Sequence, residues 1–282
     1  MKILIVGGNS SLAKVLRPVL ENFAEVLTAG RSGCDVDLDL FWHANQFSLP
    51  SGLDTVINLA ANFGGKDFDS ILAAEEVNVL GALKLSHACL CAGVRHLVQI
   101  SSIFAGLHED SPFYSSYAMS KLHAEDLVSL YCLRVCLPLT ILRPAQIYGD
   151  GNVFRHHQPF LYSIIDKAQH GEDIIFFGKN DAQRNLIHSD DVAEIIARIV
   201  RQRVIGKFIC PSQTNVRYSE IAAVAIAAFA SISAIRFDTD KPDIHDNAFE
   251  ANDDLYRRID YFPQISLAKG ITLEVERRKN LS

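Results

Sequence analysis

The sequence predicts an α/β protein with a doubly wound parallel sheet, and two features of the chain indicate this fold class. Short apolar runs alternate with longer amphipathic stretches through the first half of the 282 residues. Runs that are apolar throughout are typical of parallel strands buried on both faces, and each is followed by enough chain for a helical crossover. The predicted strands are residues 3–6, 26–29, 56–59, 97–100 and 139–142.

The pattern changes after about Tyr148, where the alternation of strands and helices loosens. A loop rich in Gly, Asn and His comes first, followed by a predicted helix near residues 160–170 and then by short strands. A chain of 282 residues exceeds the usual size of one domain. We therefore expect one large domain with a smaller appendage.

The composition argues against several kinds of partner. With 49% hydrophobic and 21% charged residues, the chain is typical of a globular protein. A net charge of −6 and a pI near 5.9 argue against a broad basic surface for nucleic acid or anionic lipid. No apolar run approaches the roughly 18 residues of a membrane span, and Lys2 leads into the first strand without a leader segment. We expect a cytoplasmic protein that binds neither nucleic acid nor membranes, with six reduced cysteines and no metal site.

The first predicted strand ends in a turn typical of dinucleotide-binding Rossmann folds. A glycine there lets the backbone approach a pyrophosphate, whose charge is stabilised by the N-terminus of the following helix. Of the three positions that usually hold glycine, only the first does so here, and Ser10 and Ala13 occupy the others. Ser10 is interpreted either as a donor to the phosphate or as a helix cap. The predicted cofactor contacts in this turn are Gly7, Asn9, Ser10, Ser11 and Leu12.

The second predicted strand is followed by Arg31 and Ser32, where folds that bind NAD usually place a carboxylate. A carboxylate would repel the 2′-phosphate of NADP, whereas a guanidinium can pair with it and a serine hydroxyl can add a hydrogen bond. The sequence therefore favours NADP(H), with NAD(H) as the alternative. Asp37 and Leu38 follow, and we expect them beside the adenine ring, with Asp35 and Asp39 as the alternative aspartates.

Two further features belong to the predicted cofactor site. The third recognisable strand ends in Leu59, Ala60 and Ala61, whose two alanines leave room for a cofactor across the strand ends. Asn78 is a polar residue in the largely apolar helical stretch that follows, so it needs a partner if it is buried. It is interpreted either as a tie between helix and loop or as part of the site.

A candidate acid–base centre follows the strand at residues 97–100. Ser101 and Ser102 come directly after it, at the sheet edge where open α/β folds bind ligands. Tyr117 and Lys121 are four residues apart in a helical segment and share a helix face.

A phenol is a poor base because its pKa is about 10. An ammonium ~6 Å away, at an effective dielectric of about 20, contributes about 2.8 kcal/mol, or roughly two pKa units towards the phenolate. The pattern predicts a phenol that exchanges a proton while a serine hydroxyl holds the substrate oxygen.

Taken together, these motifs resemble the extended short-chain dehydrogenase/reductases, often called the NAD-dependent epimerase/dehydratase family. Residues 142–149, 184–193 and 260–271 are also similar to that family, so the resemblance covers nearly the whole chain. It implies that Tyr117 is the general acid/base, that Lys121 modulates the phenol's pKa and binds the cofactor ribose, and that Ser102 holds the substrate. Ser101 is the fallback for that last role. The resemblance further implies cofactor contacts from Asn78, Ser101, Tyr117, Lys121 and Pro144, and substrate contacts from Ser102, Gln146 and Arg184.

The same resemblance implies how the chain divides between cofactor and substrate. A dinucleotide-binding Rossmann domain is expected in residues 1–147, with a return segment at about 186–215. A smaller substrate-binding domain is expected in residues 148–185 and 216–282. Members of the family often dimerise through the helix that carries the tyrosine and the helix before it, so we also expect a homodimer.

The residues narrow the reaction further. The family reduces, epimerises or dehydrates nucleotide-linked sugars, and Ile103 and Phe104, directly after Ser102, cannot exchange the protons that dehydration needs. Arg31 favours NADP, the cofactor of net reduction in cells. The sequence therefore predicts an NADP(H)-dependent oxidoreductase that reduces a nucleotide-linked 4-keto deoxy sugar. The alternatives are a C4 epimerase and, in a different class, a non-catalytic dinucleotide-sensing protein.

Overall fold

The computed structural model describes residues 1–280, which form two compact units. The first unit contains Met1–Pro144, Ala193–Cys210 and Asp254–Tyr261, and the second contains Ala145–Val192, Pro211–Asp253 and residues 262–280. The first unit holds a large parallel sheet, and the second is built from helices and two-stranded pairs. Which unit serves the cofactor and which the substrate stays a prediction.

Seven parallel strands form the centre of the first unit. They are β1 (Lys2–Val6), β2 (Glu25–Gly30), β3 (Val36–Asp37), β4 (Thr55–Asn58), β5 (His96–Ile100), β6 (Leu139–Pro144) and β11 (Gly206–Cys210). The sheet order is β11-β6-β5-β4-β1-β2-β3, so the direction of winding reverses between β1 and β4. This order confirms the predicted doubly wound Rossmann sheet, whose ligands bind at the carboxyl ends of the strands beside the reversal.

The observed strands agree with the predicted ones to within two residues at each end. The reason is burial: Ile3, Leu4 and Ile5 of β1 and Val56 and Ile57 of β4 have no exposed surface. Strands covered on both faces are apolar at successive positions, and this makes them easy to find in a sequence. The helices of the first unit are α1 (Ser11–Glu21), α2 (Phe68–Ala74), α3 (Ala82–Cys91), α4 (Ser116–Arg134) and α9 (Asp254–Ile259).

The second unit contains the strands β7 (Gln146–Tyr148), β8 (Ile174–Phe177), β9 (Gln183–Arg184), β10 (Leu186–His188), β12 (Val216–Arg217) and β13 (Ile235–Asp238). Its helices are α5 (Gly151–Phe154), α6 (Pro159–His170), α8 (Tyr218–Phe229) and α10 (Leu267–Lys279), while α7 (Ser189–Gln202) begins here and ends in the first unit. The helix predicted near residues 160–170 is α6. The sequence pattern indicated only short strands beyond it, whereas the structure adds two long helices, α8 and α10.

A buried carboxylate holds α10 in the second unit. Glu274 accepts a hydrogen bond from the N–H of Gly151 at 3.0 Å and pairs with Arg278 at 2.7 Å. Burial would raise the pKa of Glu274, but hydrogen bonds from Arg277, from the Gly151 N–H and from Arg278 hold it below its usual range. No helix within residues 1–280 is long and apolar enough to cross a membrane.

Candidate active site

The turn after β1 depends on two glycines. Gly7 has a φ of +82°, and a Cβ at this position would lie 2.8 Å from the backbone nitrogen of Ala60. A Cβ on Gly8 would lie 2.6 Å from Cβ of Thr28. Neither approach leaves room for a side chain, and the φ of Gly7 favours glycine in its own right. The shortened glycine motif therefore still folds as a close-packed glycine turn, as a dinucleotide requires.

The N-terminus of α1 follows this turn directly. Ser10 is the N-cap, and its hydroxyl accepts a hydrogen bond from the N–H of Ala13 at 3.2 Å. No acidic residue lies in the first turn of α1, all of which the structure describes. The positive end of the helix dipole thus suits a phosphate. Of the two interpretations of Ser10, the helix cap is present in the structure. Its contact with a phosphate, and those of the buried Ser11 and Leu12 with the cofactor, stay predictions.

Arg31 and Ser32 lie directly after β2 and are exposed. Asn9 of the glycine turn donates a hydrogen bond to the carbonyl of Ser32 at 2.6 Å, so the two loops lie side by side. Asp35, the first carboxylate after them, accepts hydrogen bonds from the N–H and the hydroxyl of Thr28, both at 2.8 Å. These bonds lower the pKa of Asp35. Its carboxylate is engaged with β2, although the residue is exposed, and the Arg31 guanidinium is an exposed cation of the loop beside the glycine turn.

The other residues predicted to face the cofactor lie at the carboxyl ends of β3 and β4. Asp37 ends β3 and is exposed, whereas Leu38 is buried. Leu59 follows β4 and is buried, and Ala60 and Ala61 are half-buried. A ligand that crosses these strand ends would meet small side chains, as the sequence predicts. These contacts also stay predictions.

The two serines after β5 point to different partners. Ser101 donates its hydroxyl hydrogen to Glu125 at 2.5 Å, and both side chains are buried. Ser102 instead caps the short 3-10 turn Ile103–Gly106, and its hydroxyl accepts the N–H of Phe104 at 3.2 Å. Because the Ser101 hydroxyl is engaged with a carboxylate, the geometry favours Ser102 over Ser101 as the serine that holds a substrate oxygen.

Tyr117 and Lys121 lie on the first turns of α4, which Ser115 caps through the N–H of Ala118 at 3.3 Å. The Lys121 Nζ lies 5.7 Å from the centre of the Tyr117 ring. It also donates a hydrogen bond to the carbonyl of Ile100, the last residue of β5, at 2.9 Å. Lys121 is 2% exposed. The predicted juxtaposition of phenol and ammonium is therefore present, and the lysine is held against the strand that delivers Ser102.

Burial dominates the acidity of both groups. It raises the pKa of Tyr117 to about 12, although a hydrogen bond with Ser102 lowers it in part. It also lowers the pKa of Lys121 to about 8, although the charge of Glu125 raises it in part. The net shift of the Tyr117 pKa is therefore opposite in direction to the contribution expected from Lys121. Desolvation of the phenolate outweighs the attraction, and a separation of four residues along the chain carries no information on burial.

Asn78 is buried in a π-helical segment, Glu75–Gly81, between α2 and α3. Its side chain accepts the N–H of Asn62 at 2.8 Å and donates to the carbonyl of Asn62 and to the Ser120 hydroxyl, both at 2.8 Å. Asn78 thus ties the loop after β4 to α4, next to Lys121. Of its two interpretations, the tie between helix and loop is the one present, and any cofactor contact stays a prediction.

The loop that Asn78 holds carries an aromatic residue that the sequence analysis missed. The Phe63 ring stacks on the Tyr117 ring, with centroids 5.1 Å apart and an angle of 26° between the planes. Phe63 is 59% exposed. Ser116 anchors the same loop, because its hydroxyl accepts the N–H of Gly65 at 3.1 Å and donates to the Gly65 carbonyl at 2.8 Å. The sequence did contain a signal for Phe63: it is an aromatic residue two positions after Ala61, at a sheet edge where ligands bind.

The predicted substrate residues Gln146 and Arg184 lie in the second unit. Asn247 joins them, because it pairs with Arg184 in a β-bridge and donates a hydrogen bond to the Gln146 side chain at 3.3 Å. The Arg184 guanidinium lies 4.6 Å from the centre of the Tyr218 ring and donates to the carbonyl of His245 at 2.7 Å. It is 8% exposed. Pro144, a predicted cofactor contact, ends β6 in the first unit and is buried.

The aspartate pair Asp190–Asp191 lies in the first turn of α7. The carboxylate of Asp191 accepts the N–H groups of Gln264 and Ile265 at 2.8 and 3.0 Å. It therefore anchors the segment before α10. Across the described chain, no three His, Cys, Asp or Glu side chains come together as a metal site requires.

Comparison with known proteins places these features in one family. A sequence profile of the NAD-dependent epimerase/dehydratase family matches residues 3–208. A dTDP-4-dehydro-6-deoxy-D-allose reductase from Streptomyces bikiniensis is 26% identical over 217 residues, which are 71% of this chain and 66% of the relative.

Two solved structures share the fold over almost the whole chain. The UDP-N-acetylglucosamine 4-epimerase of Bacillus cereus superposes with a TM-score of 0.79 at 20% identity, covering 100% of this chain and 98% of the epimerase. RMD from Pseudomonas aeruginosa, solved with NADPH, gives a TM-score of 0.77 at 18% identity and covers 98% and 99% of the two chains. The family is NAD(P)-dependent and comprises nucleotide-sugar reductases, epimerases and dehydratases. The Rossmann sheet and the profile match together show that the chain belongs to the NAD-dependent epimerase/dehydratase family.

Proposed function

We propose that this chain uses NADPH to reduce a keto group of a nucleotide-linked 4-keto deoxy sugar. The observation that carries the proposal is the arrangement at the end of β5. Ser102 follows β5 and lowers the pKa of the Tyr117 phenol, and the Lys121 ammonium lies 5.7 Å from the centre of the Tyr117 ring. A hydroxyl, a phenol and a buried cation at one sheet edge suit the protonation of a carbonyl oxygen.

The protonation state of the phenol fits the reductive direction. With its pKa raised to about 12 by burial, Tyr117 holds its proton at neutral pH, which is the state that an acid needs. The Ser102 hydroxyl donates to the substrate oxygen, and Tyr117 gives that oxygen its proton. Lys121, mostly protonated at pH 7 because its pKa is about 8, stabilises the phenolate left behind. The reduced nicotinamide, when bound, supplies the hydride.

The preference for NADPH rests on the loop after β2. Arg31 is exposed beside the glycine turn, and Asp35, the nearest carboxylate that follows, is engaged with Thr28. A 2′-phosphate at this edge would meet a guanidinium, which pairs with it in bidentate geometry, and no opposing carboxylate from Asp35. NADH is the alternative cofactor, and a direct competition between NADPH and NADH decides between them.

The choice of substrate rests on the relatives and on the residues after Ser102. The reductase from Streptomyces bikiniensis acts, by its name, on a dTDP-linked 4-dehydro-6-deoxy sugar. Ile103 and Phe104 have no proton to exchange, which argues against dehydration. Gln146 and Arg184 are proposed to contact the sugar and the nucleotide diphosphate, and a guanidinium suits the second task.

A spectrophotometric assay tests the proposal. Purified protein is mixed with NADPH or NADH and a panel of nucleotide-linked 4-keto 6-deoxy sugars, and loss of the reduced nicotinamide absorbance is followed. We expect oxidation of NADPH that depends on the keto sugar, faster than oxidation of NADH. The Tyr117→Phe variant is the control and should bind NADPH but turn over about 10²- to 10⁴-fold more slowly.

Two other outcomes would contradict the proposal. A tightly held cofactor that purifies with the protein, together with sugar epimerisation in the absence of added nicotinamide, would identify a C4 epimerase. Binding of the dinucleotide with no turnover of any sugar, and an unchanged biological role for Tyr117→Phe, would identify a non-catalytic sensor.

We also propose that the protein is a homodimer, joined through α3 and α4. Leu90 of α3 and Leu130 and Leu133 of α4 are exposed, as is Leu80 just before α3. Burial of such leucines contributes about 25 cal/mol per Å² of apolar surface removed from water. Light scattering should give twice the 31.2 kDa mass of the chain, and Leu133→Glu should return the protein to the monomer.

A further inference from the structure

Glu125 is a buried carboxylate that the proposed reaction does not use. Its side chain has no exposed surface, and it lies one helical turn after Lys121 on α4. Its two oxygens accept hydrogen bonds from the Ser101 hydroxyl at 2.5 Å and from Arg143 Nε and Nη2 at 2.7 and 2.6 Å. The Nζ of Lys207 lies 2.9 Å away. Through these partners the carboxylate joins α4 to three adjacent strands, β5, β6 and β11.

The carboxylate is positioned to orient the serine that the reaction uses. The backbone of Ser102 is extended, with a φ of −151° and a ψ of 148°. Successive side chains of an extended chain point to opposite faces. Since Ser101 is held towards Glu125, the next side chain, Ser102, points away from Glu125, and Ser102 lowers the pKa of Tyr117.

The charge of the carboxylate also acts on the catalytic lysine. Burial raises the pKa of Glu125, but hydrogen bonds from Arg143, Ser101 and Lys207 outweigh it and hold the pKa below its usual range. Glu125 is therefore an anion at neutral pH. That charge raises the pKa of Lys121, which burial lowers to about 8. Without Glu125, desolvation of the ammonium would act unopposed.

We propose that Glu125 is a positioning residue for the catalytic group: its carboxylate directs Ser102 towards Tyr117 and its negative charge keeps Lys121 an ammonium. The role rests on the proposed function, because it is defined by what Tyr117 and Lys121 do there. It differs from a purely structural role in one respect. A structural carboxylate would support the fold without setting the protonation of Lys121.

The charged groups around Lys121 come from several elements. On α4 itself they are Tyr117 and Glu125, and from the strands Arg143 of β6 and Lys207 of β11 approach Glu125. Of the ionisable groups on the other neighbours of α4, Cys89 of α3 is buried and interacts with Cys132, eleven residues after Lys121. Three others lie nearer to solvent. These are Asp69 of α2, which is exposed, Glu75 of the π-helical segment, which pairs with His123, and His87 of α3, which bonds to Tyr131.

The first test measures the pKa of Lys121 directly and needs no turnover. Lysine labelled with ¹³C at the ε carbon is incorporated, the Lys121 signal is assigned by its loss in Lys121→Arg, and its shift is followed against pH. In Glu125→Gln, which keeps the volume and removes the charge, we expect the Lys121 pKa to fall by roughly one unit. Glu75→Gln is the matched control. Glu75 lies in the π-helical segment and pairs with His123 of α4. Its removal should leave the Lys121 pKa unchanged.

A second variant gives a shift of opposite sign. Lys207 is 41% exposed, so Lys207→Gln should fold normally while removing one of the cations that offset Glu125. The Lys121 pKa should then rise by a few tenths of a unit. If Glu125→Gln does not fold, this variant decides alone: a rise supports the proposal, and an unchanged Lys121 titration overturns it. A Lys121 pKa that is unchanged in a folded Glu125→Gln overturns it as well.

The pH dependence of turnover then connects the charge to the reaction. Because the ammonium is the active form, the alkaline limb of kcat/KM should move to lower pH in Glu125→Gln. A Lys121 pKa that falls from about 8 to ~7 predicts roughly a fivefold loss at pH 8 and little charge-related loss at pH 6. If the alkaline limb of kcat/KM stays in place in Glu125→Gln while the pKa of Lys121 falls, the link between Glu125 and catalysis is overturned. Failure of every keto sugar to be reduced would instead count against the proposed function, and the titration of Lys121 would still decide the effect of Glu125.

Discussion

The carboxyl ends of β5 and β2 are built in opposite ways. At β5, Lys121 and Glu125 are buried, and each is bonded to the backbone or to other side chains. At β2, Arg31 and Ser32 are exposed, and the Asn9 side chain ties their loop to the glycine turn. Proton transfer needs groups that are held rigidly and shielded from water, whereas selection of a cofactor phosphate needs only a charge at the right edge. Changes at β5 should therefore alter rate or stability, and changes at β2 should alter affinity alone.

The largest effect is expected from Tyr117→Phe. Loss of the proton donor should lower kcat by about 10²- to 10⁴-fold, which is the usual contribution of a general acid. The affinity for NADPH should stay within a factor of about three, because the phenol is expected to act on the substrate oxygen. Steady-state kinetics and fluorescence titration with NADPH separate the two quantities. A kcat within tenfold of the original would remove Tyr117 from its proposed role.

Arg143→Gln should unfold the β5 region more readily. Arg143 donates two hydrogen bonds to Glu125, so its loss leaves a buried carboxylate short of its main partner, at a cost of about 3–5 kcal/mol. Urea denaturation measures the loss. Arg95→Gln is the matched control: Arg95 pairs with Asp54 but is 61% exposed, so its loss should cost about 1 kcal/mol or less.

The effect of Arg143→Gln should depend on pH. In the folded protein the pKa of Glu125 lies below its unfolded value, so the stability that the pair contributes is present above about pH 4.5 and is lost as the pH falls through the folded pKa. The difference between the original and the variant should therefore be largest near neutral pH and shrink towards pH 3. A difference that is constant with pH would mean that packing of the guanidinium, and not its charge, is what matters.

Sequence and structure agree where a local pattern determines the outcome. The strands follow from apolar runs, and the shared face of Tyr117 and Lys121 follows from their separation along a helix. Glu125 could not be identified in this way, since in the sequence it is an ordinary helical glutamate. Its partners Arg143 and Lys207 lie on strands that come later in the chain and meet it only through the sheet order. The same holds for the pKa of Tyr117 and for the stacking of Phe63, because both depend on contacts that arise when distant segments pack.

A smaller and purely selective effect is expected from Arg31→Ala. If the guanidinium pairs with the 2′-phosphate, its loss removes a charge-assisted contact of about 1.5–3 kcal/mol, and the Kd for NADPH should rise at least tenfold. The Kd for NADH and the free energy of unfolding should not change, because Arg31 is exposed. Calorimetric titration with both cofactors measures this, with Arg134→Ala, an exposed arginine at the end of α4, as the control. Equal losses for NADPH and NADH would mean that Arg31 does not read the phosphate.

The smallest effect separates the two roles of Ser10. Ser10 and Ser115 both cap helices through one hydrogen bond from a backbone N–H, at 3.2 and 3.3 Å. Each change to Ala should therefore lower the free energy of unfolding by about 1 kcal/mol. If Ser10 also donates to a cofactor phosphate, Ser10→Ala should in addition weaken NADPH binding several-fold, whereas Ser115→Ala should not. Equal stability losses with unchanged NADPH affinity in both variants would leave Ser10 as a helix cap alone, and the phosphate would then depend on the backbone of the glycine turn and the N-terminus of α1.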